Sequence, residues 1–114
     1  MSITIYHNPR CSKSRAALKL LEERDLHPKI VEYLKEPPSP AELKSLLKKL
    51  KKSPAEITRT GESVYKERYR GKDLSEEQWL RALHENPILI ERPIVVNGAR
   101  AIVGRPPESV LTIL

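Results

Sequence analysis

Cys11 is the only cysteine in the chain, and it stands in the run Tyr6-His7-Asn8-Pro9-Arg10-Cys11-Ser12-Lys13-Ser14-Arg15. These neighbours are of the kinds that make a thiol reactive. A free cysteine with a pKa near 8.5 is only about 3% thiolate at neutral pH, and the thiolate is the nucleophile. Lowering a thiol pKa by ~2 units needs about 2.7 kcal/mol of preference for the charged form. Three features can contribute. A helix predicted to start at Ser12 would aim its free N–H groups and positive dipole end at the sulfur. His7 can offer a hydrogen bond or a charge from the loop side. Arg10, Lys13 and Arg15 raise the local positive potential. A lone cysteine can also be a small buried hydrophobe, but a buried thiol has no need of this polar loop.

Spacing separates the chemistries open to such a thiol. Ser14 occupies the place where a Cys-x-x-Cys oxidoreductase carries its second cysteine. It cannot resolve a mixed disulfide, so an outside thiol must. A tyrosine-phosphatase loop has its arginine six positions after the cysteine, and that position here is Ala17. His7, His27 and His84 are present, but nothing marks a protease triad. One cysteine and three scattered histidines match no metal-ligand spacing.

The elements that must position the thiol follow from periodicity and capping. Residues 3–6 read as a β-branched strand, and 12–24 as a helix with Ser12 as N-cap and Ala16, Ala17, Leu20 and Leu21 inward. Ile30 to Tyr33 read as a second strand. Ser39-Pro40-Ala41-Glu42 is a capping box opening a helix to about Leu50. Ser53-Pro54-Ala55-Glu56 repeats that pattern towards Arg59, and residues 64–70 add a helical turn or two. Ser75 caps another helix that carries Trp79, Leu80 and Leu83 inward and stops before Asn86-Pro87. Residues 93–96 and 101–103 form a hairpin around Asn97-Gly98. A last helix opens at Arg105-Pro106-Pro107-Glu108 with Val110, Leu111 and Leu114 inward. The order is β-α-β, a helical insert, then β-β-α, within one α/β sheet. That is the order of a thioredoxin-like fold with a helical insertion between its two halves.

Composition bounds the rest. The 114 residues fit a single domain, 1–114, with the helical insert at about 40–90. With no Phe, the core must be aliphatic. The 21 basic and 15 acidic residues give a net charge of +6, which suits an anionic substrate or partner. In the densest basic run, Leu43, Leu46, Leu47 and Leu50 recur at helical spacing, so the lysines between them fall on the opposite, solvated face. No aromatic residues interleave with them, which disfavours nucleic acid. No signal peptide is visible and no run approaches the ~18 apolar residues of a membrane span, so a cytoplasmic, membrane-free monomer is the expectation.

The motif His-Asn-Pro-x-Cys-Ser-x-Ser-Arg at 7–15 resembles the signature of the glutaredoxin-linked arsenate reductase (ArsC) family. The resemblance continues through Tyr33-Leu34-Lys35-Glu36-Pro37-Pro38, through the run from Asn86 to Val96, and through Gly104-Arg105-Pro106-Pro107-Glu108. It is nearest to the short YfgD subgroup. It implies that Cys11 is the nucleophile towards arsenate or a similar oxyanion and that His7 helps lower its pKa. Arg59, Arg92 and Arg105, with Ser14, would hold the oxyanion, and Pro93 would be a cis-proline facing the thiol. It also implies no bound cofactor, no metal, glutathione as co-substrate and glutaredoxin as partner. In the implied reaction arsenate forms a thioarsenate on Cys11, glutathione adds, and glutaredoxin removes the mixed disulfide as arsenite leaves. Each arginine taken alone could be a solvated surface group. Arg92 and Arg105, however, each precede a proline at opposite ends of one predicted hairpin, which can bring them together. Guanidinium groups so placed suit a tetrahedral dianion. Two other readings remain: an Spx-like regulator binding RNA polymerase, whose usual Cys-x-x-Cys switch Ser14 removes, and a monothiol thiol-transferase.

Overall fold

A computed structural model describes residues 2–114. Four strands form one sheet in the order β2-β1-β3-β4, with β1 at Ile3–Tyr6, β2 at Lys29–Val31, β3 at Ile94–Asn97 and β4 at Arg100–Val103. β1 runs parallel to β2 and antiparallel to β3, and β3 runs antiparallel to β4. This is the thioredoxin-like α/β arrangement expected from the element order. The long crossover from β1 to β2 is α1, Ser12–Glu23, as a parallel pair requires. The β3–β4 connection is a two-residue loop, Gly98-Ala99, between the paired Asn97 and Arg100. Gly98 sits there at φ 62°, the positive-φ first position of a type II′ turn. The turn is therefore centred one residue later than Asn97-Gly98.

The chain divides into two compact units: one joins the stretch up to Glu36 to Arg92–Leu114, the other is Pro37–Glu91. In the first unit Ile3, Ile5, Ala17, Leu21, Val95, Val110 and Ile113 form the buried core. Each leucine or isoleucine of this kind contributes about 1.5–3 kcal/mol relative to exposure. Ile3, Ile5 and His7 share one face of β1 by the two-residue period of a strand, and all three are buried. In α1 the buried row is Ser14, Ala17 and Leu21, the i, i+3, i+7 spacing of a single helix face. The segment after Arg105 is a 3-10 helix, Pro107–Ile113, rather than an α-helix. Its buried residues are Val110 and Ile113, while Leu111 and Leu114 are half-exposed.

The second unit holds α2 (Pro40–Leu50), α3 (Ser63–Arg68) and α4 (Glu76–Glu85), with 3-10 turns at Pro54–Ile57 and Pro87–Leu89. Ser39 and Ser75 each accept the N–H three residues on, and Glu42 and Gln78 reach back to the cap N–H, so both capping boxes form. At Ser53, Glu56 receives both the backbone N–H and the hydroxyl. Leu43, Leu46, Leu47 and Leu50 are buried, while Lys44, Lys48, Lys51 and Lys52 are exposed. No helix among the described residues is long and apolar enough to cross a membrane.

Candidate active site

Cys11 ends the loop that leaves β1 and is itself the N-cap of α1, with extended backbone (φ −94°, ψ 122°) and no side-chain cap bond. Ser12, expected as the cap, is the first helical residue instead. The shift by one residue matters, because it puts the sulfur directly at the helix's free N–H groups. The loop is held by Cys11 N–H donating to the Asn8 carbonyl at 3.0 Å, by Arg10 N–H to Asn8 Oδ1 at 3.0 Å, and by Arg15 Nη1 to the Pro9 carbonyl at 2.9 Å.

The Cys11 thiol is pulled below its ordinary pKa. Burial is the largest single influence and pushes it up, but several donors outweigh it together. The N–H groups of Ser14 and Lys13 point to the sulfur, and Arg92 adds its charge and a hydrogen bond. Arg105 Nη2 stands 4.0 Å from Cys11 Sγ. The same guanidinium is oriented by Nε donating to the Arg92 carbonyl at 2.8 Å. The hairpin thus brings its two ends to one sulfur, as its register permits: Ile94 pairs with Val103, and Gly104 N–H donates to the Pro93 carbonyl at 2.8 Å. The Arg92–Pro93 peptide is cis, and so is Arg105–Pro106. Arg92 Nε and Nη1 are buried without a hydrogen-bond partner among the described residues. Buried guanidinium N–H groups are costly to leave unpaired, and they suit an oxyanion.

Of the hydrogen bond or charge that His7 could offer the loop, the structure shows a hydrogen bond, to Ser14. Burial lowers the His7 pKa most, with Arg15 also lowering it, against the raising influence of Glu32 and Glu22. The neutral ring is therefore the resting form at neutral pH. Its Nδ1 is hydrogen-bonded to Ser14 Oγ at 2.6 Å, and Ser14 Oγ also accepts the Asn8 N–H at 3.0 Å. Ser14 is fully buried, so its hydroxyl faces the β1 side. What it offers the sulfur is its backbone N–H. Strand alternation from Ile3 and Ile5 marks His7 as inward, and the Ser14-Ala17-Leu21 row marks Ser14 likewise. Both signals were present in the sequence.

Arg59 belongs to the other unit. There its Nη1 donates to Glu62 Oε1 at 3.0 Å, with both side chains about a quarter exposed, and its N–H donates to the Leu89 carbonyl at 2.7 Å. Glu62 was not singled out in the sequence, although its i, i+3 spacing from Arg59 is visible there. Gly104 is the other residue that composition and periodicity passed over. A Cβ there would lie 2.9 Å from Pro93 Cγ and 3.1 Å from Val110 Cγ1. Only a glycine lets the chain pass between those two buried side chains. No group of three or more metal-ligating side chains is found among the described residues.

Comparison with known proteins agrees with this geometry. A family model described as the ArsC family matches residues 6–113. An arsenate reductase of Haemophilus influenzae is 47% identical over 116 residues, spanning 100% of both chains. An Escherichia coli protein called YfgD is 49% identical over 114 residues, spanning 98% of this chain and 96% of its own. Among solved structures, an arsenate reductase from Vibrio cholerae superimposes with a TM-score of 0.96 at 47% identity, covering 100% of this chain and 98% of that one.

Proposed function

The chain belongs to the ArsC family, and on that footing we propose that it is an arsenate reductase in which Cys11 is the nucleophile. The observation that carries the reading is a thiol held below its ordinary pKa with Arg92 and Arg105 at its side. Arg92 and Arg105 neutralise the incoming dianion, and the Lys13 and Ser14 N–H groups steady the attacking sulfur. A sulfur–arsenic bond forms as an arsenic–oxygen bond breaks, and the departing oxygen leaves as water after taking up protons.

The reduction itself needs an electron pair. Arsenic passes from the pentavalent to the trivalent state as two thiols become one disulfide, with one arsenate oxygen lost as water. A chain with a single cysteine draws those thiols from outside. Glutathione as co-substrate and glutaredoxin as the partner that regenerates the site meet that need. The arginine pair favours oxyanion chemistry over simple thiol transfer, which has no use for two guanidinium groups beside the sulfur.

The test is arsenite release by the purified protein with arsenate, glutathione and glutaredoxin, each omitted in turn. Arsenite should appear only with the complete mixture, and Cys11→Ser should abolish it while leaving the fold intact. Arsenite production by Cys11→Ser at the rate of the parent protein would reject the reading.

A further inference from the structure

The second unit carries a surface groove of about 540 Å³ between the C-terminal half of α2 and the start of α4. Lys44, Lys48, Lys51 and Lys52 line it, Leu47 and Pro54 supply apolar surface, and Glu76 is its one carboxylate. Lys52 Nζ lies 3.9 Å from Glu56 Oε2, whereas the other three ammonium groups have no ion pair among the described residues. Compensation of the helix dipole accounts for a cation in the last turn of α2, such as Lys48, but not for Lys44 one turn earlier. Lys51 is more telling. It is the C-cap of α2 at φ 58° and ψ 43°, a left-handed backbone that glycine adopts at least cost. A side chain with a Cβ is strained there, and the sequence nevertheless carries a long cation at that position.

We propose that this groove is the docking site for an acidic peptide segment of a partner protein. Its lysines recur at i, i+4, i+7 and i+8 along α2 and its cap, a span of about 12 Å at the 1.5 Å rise of a helix. A row of that length matches an extended run of about four acidic residues. Leu47 and Pro54, with the methylene stems of the lysines, receive an apolar side chain of the same segment. That apolar surface decides against a bare phosphate chain, which has nothing to set on it. Among the described residues that line the groove there is no aromatic ring and no arginine. It therefore has neither a platform for a nucleobase nor a planar fork for paired oxygens. Glu76, in the first turn of α4, repels a carboxylate at that edge and so favours one direction of the segment. The inference is independent of the reaction at Cys11.

The test titrates the intact protein with a short fluorescent peptide of glutamates around one central leucine, with the unlabelled peptide and inorganic tripolyphosphate as competitors. Saturable binding is expected at low ionic strength, weakening as salt is added. A Lys44→Glu, Lys48→Glu double variant should bind about tenfold more weakly. A Lys66→Glu, Lys72→Glu double variant makes the same change in net charge outside the groove and should lose less than about threefold. Lys51→Gly should raise Tm by about 2–4 °C and yet weaken the peptide, opposite signs that a purely structural cap does not give. Equal losses in the two double variants would reduce the effect to net charge and overturn the proposal. So would tripolyphosphate displacing the probe at lower concentration than the unlabelled peptide does, or a Lys51→Gly protein that binds the peptide as tightly as the parent.

Discussion

His7 Nδ1 and Ser14 Oγ are 2.6 Å apart, and both residues are buried. That bond ties the end of β1 to the first turn of α1, and Ser14 N–H in turn points to the sulfur. Ser14→Ala leaves His7 Nδ1 and Asn8 N–H without their partner, and unpaired buried groups cost about 1–3 kcal/mol. The variant should melt lower, and its Cys11 should titrate higher than in the parent. Unchanged values for both would remove the positioning role.

His7 also carries a pH signature. Burial depresses its folded pKa, so the unfolded chain, near 6.5, takes up a proton first. Stability from the neutral ring is fully present above about 6.5 and is lost as pH falls through the lower folded value. An NMR titration of the ring should give a midpoint below that of an exposed histidine. His7→Gln should flatten this acid-side loss, and a His7 midpoint above 6.5 would contradict the account.

Gly104 is the predicted weak point of the hairpin. In Gly104→Ala the new methyl meets Pro93 and Val110, both buried. Overpacking of this kind costs about 1–3 kcal/mol. Thermal unfolding should show that loss. Because Arg105 is the next residue, the arsenate KM should also rise. A variant as stable as the parent would show that the contact is not tight.

Local signals accounted for what could be read from the sequence. Capping boxes at Ser39 and Ser75 depend on residues within one turn, and they form as written. The lysine face of α2 follows from its leucine spacing alone. Arg92 and Arg105 could be paired because a hairpin fixes its own register. The failures were of two kinds. Ser12 was placed one residue late as a cap because backbone dihedrals, not side-chain type, make Cys11 the N-cap. Gly104 could not be weighed without knowing that Pro93 and Val110 converge on it.

The Cys11 thiolate beside Arg92 and Arg105 is tested most directly by its alkylation rate as a function of pH, with and without arsenate. A depressed thiol pKa predicts a midpoint below that of an unperturbed cysteine thiol measured under the same conditions. It also predicts that arsenate slows alkylation of the parent protein but has little effect on Arg92→Ala, whose midpoint should move upward. Alkylation that titrates at or above the ordinary thiol value, at a rate arsenate does not change, would contradict the account.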